Sequence, residues 1–454
     1  MVVEIIDINA NFNTADRHAE RAAFALANQN FAELDDRTLN HASTTSGVLT
    51  SVLGDSNTKS GDTFASNFAF RNSLAPITWF RTLSRGRIDL PPSRNYGLSG
   101  SSFQSNIDNG RLALAANDES SLVIVILGVN DINSTSILYD SIVASINAYV
   151  EALRHKTILF VGIHTTIDGS DGWSDVDRLE GIAVNRYLNS LSINNPNILF
   201  ADPARYLLNS SGALLAGMLF DQVHFATQGA YWVARRMLDV LEPILKTVEF
   251  LSFNMLDTID ALNPEGNMLL NAALSGAGGT TQAAVGITGT IPTSWGAFAT
   301  GGANIGTSAA VYSVVSKATP GNSLQAVISG APGAITTYSH RISQSVTGVE
   351  GGLYRGRLGV EISANAENLV SVTCGLTDSG TGNFQALDMV HFVGSAVPTI
   401  NENITLFLET PIVTKAAAST NLNMHITFNF RGATAVGDSA ATVRVFNPEI
   451  RRVG

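Results

Sequence analysis

The sequence predicts a parallel α/β domain followed by an all-β domain, and three observations lead there. The chain has 454 residues, more than one hydrophobic core usually supports, so it should divide. Between residues 46 and 250, short β-like runs alternate with helical ones. From about Asn263 onward the texture changes to Gly, Ala, Thr, Ser and Val in short alternating runs.

Taken in order, residues 1–45 hold one helical candidate, Ala15–Leu34, with Phe24, Phe31 and Leu34 near one face. It is too short and polar for a domain and reads as an attachment or oligomerisation segment. In residues 46–250 the strand candidates are Val48–Leu53, Leu122–Leu127, Thr157–Ile163 and Ile198–Ala201. Helical patterns cover Ile137–Arg154, Val176–Leu191 and Gln228–Lys246. Strands separated by helices of this length can lie parallel, which predicts a right-handed three-layer α/β sheet. Residues 251–265 read as a linker. Residues 266–454, with strand candidates Leu369–Cys374, Ile404–Leu408 and Met424–Phe430, have the composition of an antiparallel sandwich or jelly roll.

Composition excludes several function classes. A net charge of −11 leaves no broad basic surface to neutralise phosphates, so nucleic acid is not an expected partner. The longest apolar runs fall far short of a membrane span, and no membrane partner is expected. The N-terminus lacks the basic, apolar and small-residue regions of a secretory signal, which predicts a cytosolic protein or one that leaves by a route needing no signal. Cys374 is the single cysteine; it permits no internal disulfide and no Cys-rich zinc site, and reads as a small buried strand residue. No cofactor and no metal is expected.

The chemistry-bearing residues gather at the ends of the proposed strands. The first strand runs into Gly54-Asp55-Ser56-Asn57-Thr58, placing a serine at the edge where open α/β sheets carry their active sites. Three further segments follow: Asn95-Tyr-Gly-Leu-Ser-Gly100, Gly128-Val-Asn-Asp131 and Asp221-Gln-Val-His224. Each lies at or after a strand or just before the last helix, so all four can converge on one rim. Alone, Gly-Asp-Ser is an ordinary turn or helix cap.

In order and spacing the four segments resemble the four blocks of the SGNH hydrolases, also called GDSL esterases, over roughly residues 47–246. The resemblance implies a flavodoxin-like three-layer sandwich and a serine esterase. A serine hydroxyl needs a base to take its proton, and an imidazole can do so near neutral pH. His224 is the candidate base for Ser56, with Asp221 orienting the ring and stabilising the imidazolium. By the family's pattern, the oxyanion of the tetrahedral intermediate would be held by the N–H groups of Ser56 and Gly100 and the side-chain amide of Asn130. Asp131 reads as a cap or turn residue and Asp55 as the residue that orders the nucleophile turn. His164, just after a strand, is a candidate for lining the cleft. His18, His41, His155, His340, His391 and His425 match no site pattern.

Selectivity should come from rim loops. The polar stretch Thr165–Asp175 carries Trp173, suited to stacking on a sugar ring, although an ordinary solvated loop fits equally. No hydrophobic lid is evident, which favours a small acyl group, acetyl foremost, on a polar carrier. The stretch Arg21–Leu34 resembles an element near the start of bacteriophage tail and tail-fibre proteins. Asn267–Gly276 and Ile291–Gly296 look like the opening of β-sandwich modules that accompany phage-borne and secreted carbohydrate-active proteins. Together these imply a virion-associated or extracellular esterase acting on an acylated polysaccharide, homo-oligomeric as a trimer beside other virion proteins, whose C-terminal domain binds glycan or serves assembly. The alternatives are a lipase or thioesterase using the same residues, and an inactive glycan-binding tail protein.

Overall fold

A computed structural model describes residues 47–453 except 66–67, 72–73, 134–137, 165–173, 222, 246–258, 260–265, 282–285, 301–304, 317–320, 335–336, 349–350, 379–383, 392–402, 416–420, 433–434 and 436. The helix expected over Ala15–Leu34, with the rest of residues 1–46, lies outside the described residues.

The first half holds β1 (Val48–Gly54), a hairpin of β2 (Asp62–Ala65) and β3 (Phe68–Arg71), then β4 (Ile88–Asp89), β5 (Leu122–Ile126), β6 (Thr157–Val161) and β7 (Ile198–Ala201). Apart from the hairpin these strands form one parallel sheet in the order β4-β1-β5-β6-β7. The chain leaves β1 toward β4 and returns to β5 on the other side. That reversal opens a crevice beyond the carboxyl ends of β1 and β5, where ligands bind in such sheets. The helices are α1 (Ser56–Lys59), α2 (Pro76–Leu83), α3 (Phe103–Asp108), α4 (Arg111–Asn117), α5 (Val129–Ile132), α6 (Tyr139–Ala152), α7 (Asp175–Asn194), α8 (Ala204–Leu207) and α9 (Thr227–Leu241).

Strand side chains alternate between two cores because successive Cβ atoms point to opposite faces. Val52, Ile124 and Leu159 join α2 and α9 on one face. Leu53, Val123, Val125 and Ile158 join α3, α4, α6 and α7 on the other. This is the SGNH-hydrolase architecture expected of the first half, with a strand-rich second half. The four strands anticipated from apolar runs are all present, β1 one residue longer, β5 one and β6 two residues shorter than expected.

The second half runs β8 (Thr280–Thr281), β9 (Ile287–Gly289), β10 (Gly296–Thr300), β11 (Ala309–Ser316), β12 (Asn322–Gly330), β13 (Thr337–Val346), β14 (Leu353–Ile362), β15 (Leu369–Asp378), β16 (Phe384–His391), β17 (Ile404–Glu409), β18 (Val413–Thr414), β19 (Leu422–Arg431) and β20 (Ser439–Arg452). One sheet has the order β16-β15-β19-β13-β10-β8 and the other β17-β14-β20-β12-β11-β9, with β18 beside β14. They face each other: the Tyr338 hydroxyl on β13 donates to Ser439 Oγ on β20 at 2.7 Å. Along β19, Leu422, Met424, Ile426, Phe428 and Phe430 are buried while the intervening residues are only half-buried, the period-2 signature of a sheet with one core face. Cys374 is a fully buried thiol on β15.

The two halves pack against each other, and the expected linker 251–265 lies almost wholly outside the described residues. One apolar cluster runs from Val52, Trp79 and Val233 into Leu358, Leu406 and Ile426. Helix α2 packs on β17, and the β2–β3 hairpin lies against β16. Among the described residues no helix is long and apolar enough to cross a membrane.

Helix α9, which follows the expected base, is held by α2 through Trp79, 1% exposed, whose ring meets Tyr231 edge-on at 5.2 Å. Trp79→Ala should therefore cost about 3–5 kcal/mol. Urea unfolding checks this, and a loss below about 1 kcal/mol would show that the contact does not hold α9.

Candidate active site

Strand β1 ends in a turn that admits no side chain at Gly54, where a Cβ would stand 1.9 Å from Thr58 Oγ1. Asp55 then caps α1: its carboxylate accepts the Asn57 N–H at 2.8 Å. Ser56 is the first helical residue, so its N–H is among those that intrahelical bonding leaves without a partner.

The Ser56 hydroxyl meets His224 Nε2 at 2.8 Å, and His224 Nδ1 meets Asp221 Oδ2 at 2.7 Å. The three expected residues therefore stand in one hydrogen-bonded line, although Ser56 and His224 are 168 positions apart. Asp221 also shapes the loop that carries the histidine, since its Oδ1 accepts the N–H groups of Val223 at 2.9 Å and His224 at 2.7 Å. Burial works against the Asp221 charge, but these N–H groups and the imidazole outweigh it and hold the carboxyl below the usual range. A bridge between Leu219 and Phe225 closes the loop, and the Phe220 N–H donates to the His224 carbonyl at 3.0 Å.

Asn57 ties the nucleophile turn to that loop. Its amide donates to the Val223 carbonyl at 3.3 Å and accepts the Phe225 N–H at 3.1 Å. His164 supports the same loop from behind: Nε2 lies 3.0 Å from the Val223 carbonyl, and the ring packs on Phe225 with centroids 4.3 Å apart. Burial pushes its pKa down to about 4, so the ring is neutral and donates from Nε2. It is buried and does not line the cleft, where the sequence had suggested it. Trp173 and the polar loop around it lie outside the described residues.

The second segment and the helix after it close on the Gly54 carbonyl. It accepts the Leu98 N–H at 2.9 Å, Ser101 Oγ at 3.2 Å and Asn106 Nδ2 at 3.3 Å. Gly100 sits in this loop with φ +72° and empty space where a side chain would be, so its requirement is backbone conformation rather than room. Asn130, the second residue of α5, donates one amide hydrogen to the Ser101 carbonyl at 3.1 Å. Its second amide hydrogen remains available to a ligand. Asp131 turns away and caps α3, both carboxylate oxygens accepting the Phe103 N–H at 3.2 and 3.1 Å.

Two buried carboxyls thus lie beneath the site. Burial pushes Asp55 up to about 6, against the Asn57 N–H and the His224 charge. It pushes Asp131 up to about 7, opposed by the Phe103 N–H and reinforced by the Asp55 charge. Above them opens a cleft of about 430 Å³ lined by Ser56, Lys59, Ser60, Leu74, Phe220 and His224 among others. Phe220 is 59% exposed, and its ring lies nearly parallel to the His224 imidazole, 5.6 Å between centroids. Asn57, Asn106 and Phe220 were not singled out in the sequence, where nothing distinguishes them from ordinary turn and loop residues. Among the described residues no group of three or more His, Cys, Asp or Glu side chains could hold a metal ion.

The raised carboxyl gives a pH signature. Folded Asp131 keeps its proton to about 7 whereas an unfolded aspartate releases it near 3.9, so its contribution to stability is full below that lower value and is lost as pH rises through 7. Asp131→Asn should therefore gain stability relative to wild type at pH 8 and show a smaller difference at pH 4.5, in urea unfolding at the two pH values. A variant less stable than wild type at pH 8 would contradict the assignment.

Among solved structures, the chain is similar to an acetylxylan esterase from Geobacillus stearothermophilus, with 18% identity, 43% of this chain and 94% of that one covered, and a TM-score of 0.32. A carbohydrate esterase family 3 structure from Talaromyces cellulolyticus shares 21% identity over 44% of this chain and 100% of that one, TM-score 0.33. A GDSL-like lipase from Bacteroides thetaiotaomicron VPI-5482 shares 16% identity over 47% and 100%, TM-score 0.32. No curated protein matches the chain. Residues 52–231 match the GDSL-like Lipase/Acylhydrolase family, and with its parallel sheet this half of the chain has the SGNH-hydrolase fold.

Proposed function

We propose that the chain is a serine esterase that removes small O-acyl groups, acetyl foremost, from a polysaccharide. The observation that carries the reading is the line from Ser56 Oγ through His224 to Asp221, at 2.8 and 2.7 Å, beyond the carboxyl end of β1.

In this mechanism His224 Nε2 takes the Ser56 proton as Oγ attacks the acyl carbonyl. The oxyanion is held by the N–H groups of Ser56 and Gly100 and by Asn130 Nδ2. The imidazolium then gives its proton to the departing sugar oxygen, leaving an ester on Ser56. Water, deprotonated by His224, attacks that ester; the acid leaves, and the serine recovers its proton. Asp221 stays ionised throughout, fixing Nδ1–H toward itself and stabilising the imidazolium.

The cleft supports a polar carrier. Ser60, Ser99 and Lys59 stand at a lining that is otherwise largely apolar, and the exposed Phe220 ring offers an apolar platform beside the base, suited to the C–H face of a sugar. A lipase or thioesterase would use the same three residues and differ in preferring longer acyl chains. The resemblance of Arg21–Leu34 to tail-protein elements extends the proposal to a bacteriophage tail protein acting at a host surface; mass spectrometry of purified virions tests that part.

Acetylated xylan or bacterial exopolysaccharide should be turned over, with medium-chain nitrophenyl esters poor by comparison. The reverse order would favour the lipase reading. Ser56→Ala should abolish hydrolysis without unfolding the protein. Asn130→Ala should lower kcat by about 10²- to 10³-fold with little change in KM, and an effect confined to KM would make Asn130 a ground-state contact. Asp221→Asn should lower the plateau of the kcat/KM pH profile by presenting an N–H to His224 Nδ1; an unchanged profile would remove Asp221 from the mechanism.

A further inference from the structure

We propose that Lys59 makes the cleft select esters whose carrier bears a carboxylate, as a uronate sugar does. The proposal rests on the polysaccharide-esterase reading for the sugar alone. Ser56 and Lys59 are the first and last residues of α1. Residues three apart on a helix are neighbours on one face, their Cβ atoms about 5–6 Å apart. Both accordingly line the same cleft, with the ammonium one helical turn from the serine hydroxyl.

The backbone at Lys59 is fixed from two sides. Its N–H donates to the Asp55 carbonyl at 2.9 Å. Gly97 packs on it so closely that a Cβ there would stand 2.6 Å from the Lys59 nitrogen. Asn95 Nδ2 ties the same loop to the Thr58 carbonyl at 3.2 Å. The stem of the lysine therefore starts from a point set by both the nucleophile turn and the loop that carries Gly100.

Depth in the cleft separates acyl group from carrier. Asn57 and Phe225 are buried and form its floor, Ser56 and His224 are half-buried, and Lys59, Ser99 and Phe220 are exposed. A small acyl group fits inward of the serine, whereas the bulk of a polymeric carrier stays at the mouth. A charge at the mouth thus meets the carrier.

That charge is unanswered within the described residues. Among those lining the cleft, Lys59 alone carries a permanent charge, and no carboxylate pairs with it. The acids of the site are engaged elsewhere: Asp221 with His224, Asp55 with the Asn57 N–H and Asp131 with the Phe103 N–H. The chain carries 38 acidic against 27 basic residues, so an anionic partner for this lysine was not in short supply. A lone cation at the mouth of a cleft raises the local concentration of anionic substrate. An ammonium on a flexible stem acts as a point charge and needs no fixed partner geometry.

Two matched pairs of acetyl esters read this charge through kcat/KM for acetate release. The first, para-carboxyphenyl acetate against para-carbamoylphenyl acetate, needs no polysaccharide. The second is O-acetylated oligogalacturonate against the same oligomer with its carboxyls converted to amides. In each pair the acid-to-amide ratio is expected to fall about fivefold or more from wild type to Lys59→Met, mainly through KM, to fall further in Lys59→Glu and to persist in Lys59→Arg. Salt should shrink the wild-type ratio, because exposed charges are screened. The ratio cancels whatever affects both esters alike, so a lysine that only ends α1 would lower the unfolding midpoint and leave the ratio unmoved. A ratio that Lys59 does not move, in either pair that is turned over, overturns the proposal. So does a Lys59-dependent preference for phenyl hemisuccinate over phenyl butyrate, since the cation would then read the acyl group. A Lys59-dependent ratio in the phenyl pair with neither oligomer turned over removes the polysaccharide reading and leaves the charge selection. Turnover of both oligomers at ratios indifferent to Lys59 does the reverse, and no hydrolysis of any ester overturns both.

Discussion

The site depends first on the carbonyl oxygen of Gly54. It ends β1, and three donors from Leu98, Ser101 and Asn106 close on it within 3.3 Å. Those contacts fix the loop carrying Gly100, and the Ser101 carbonyl in turn orients the Asn130 amide. Nucleophile turn, glycine loop and asparagine helix are thereby referred to one atom at the switch point of the sheet. In the proposed mechanism such a frame would hold donors ready for a charge that exists only during reaction, without reorganising to meet it.

A second constraint aligns His224, the proposed base, with this frame. Side chains of the nucleophile turn reach the loop carrying His224, and Asn57 supplies both a donor and an acceptor to it. His164 and Phe225 fill the space behind, which keeps the imidazole from retreating. Asp221 uses one oxygen to shape its own loop and the other to orient the ring, so loop geometry and imidazole orientation rest on one side chain. The front of the ring stays open toward Phe220 and solvent. An open cleft beside a rigid base suits a substrate whose bulk remains outside.

Much of this was legible in the sequence, for physical reasons that also mark the limit. Leu122–Ile126 and Thr157–Val161 are nearly continuous apolar runs because a central parallel strand is covered on both faces. β4 escaped notice because two residues carry no period, and α2 because the eight residues Pro76–Leu83 give barely two turns in which a helical period could show. Ser56, Gly100, Asn130, Asp221 and His224 stood out because the four segments that hold them resemble, in order and spacing, the blocks of the SGNH hydrolases. Asn57 and Asn106 did not, since their work is defined by a segment from far along the chain. His164 lies near the rim as its position after β6 suggested, but it faces the back of the His224 loop, a matter of side-chain direction that spacing does not encode.

The central claim is that His224, held by Asp221, makes Ser56 chemically unlike every other serine in the chain. An organophosphorus fluoride tests this directly, because it reacts with an activated serine and is indifferent to the natural substrate. Peptide mass spectrometry after brief treatment should find one adduct, on Ser56, formed with the wild-type protein and slowed by orders of magnitude in His224→Ala. Labelling spread over several serines, or equal labelling of Ser56 with and without His224, would contradict the account.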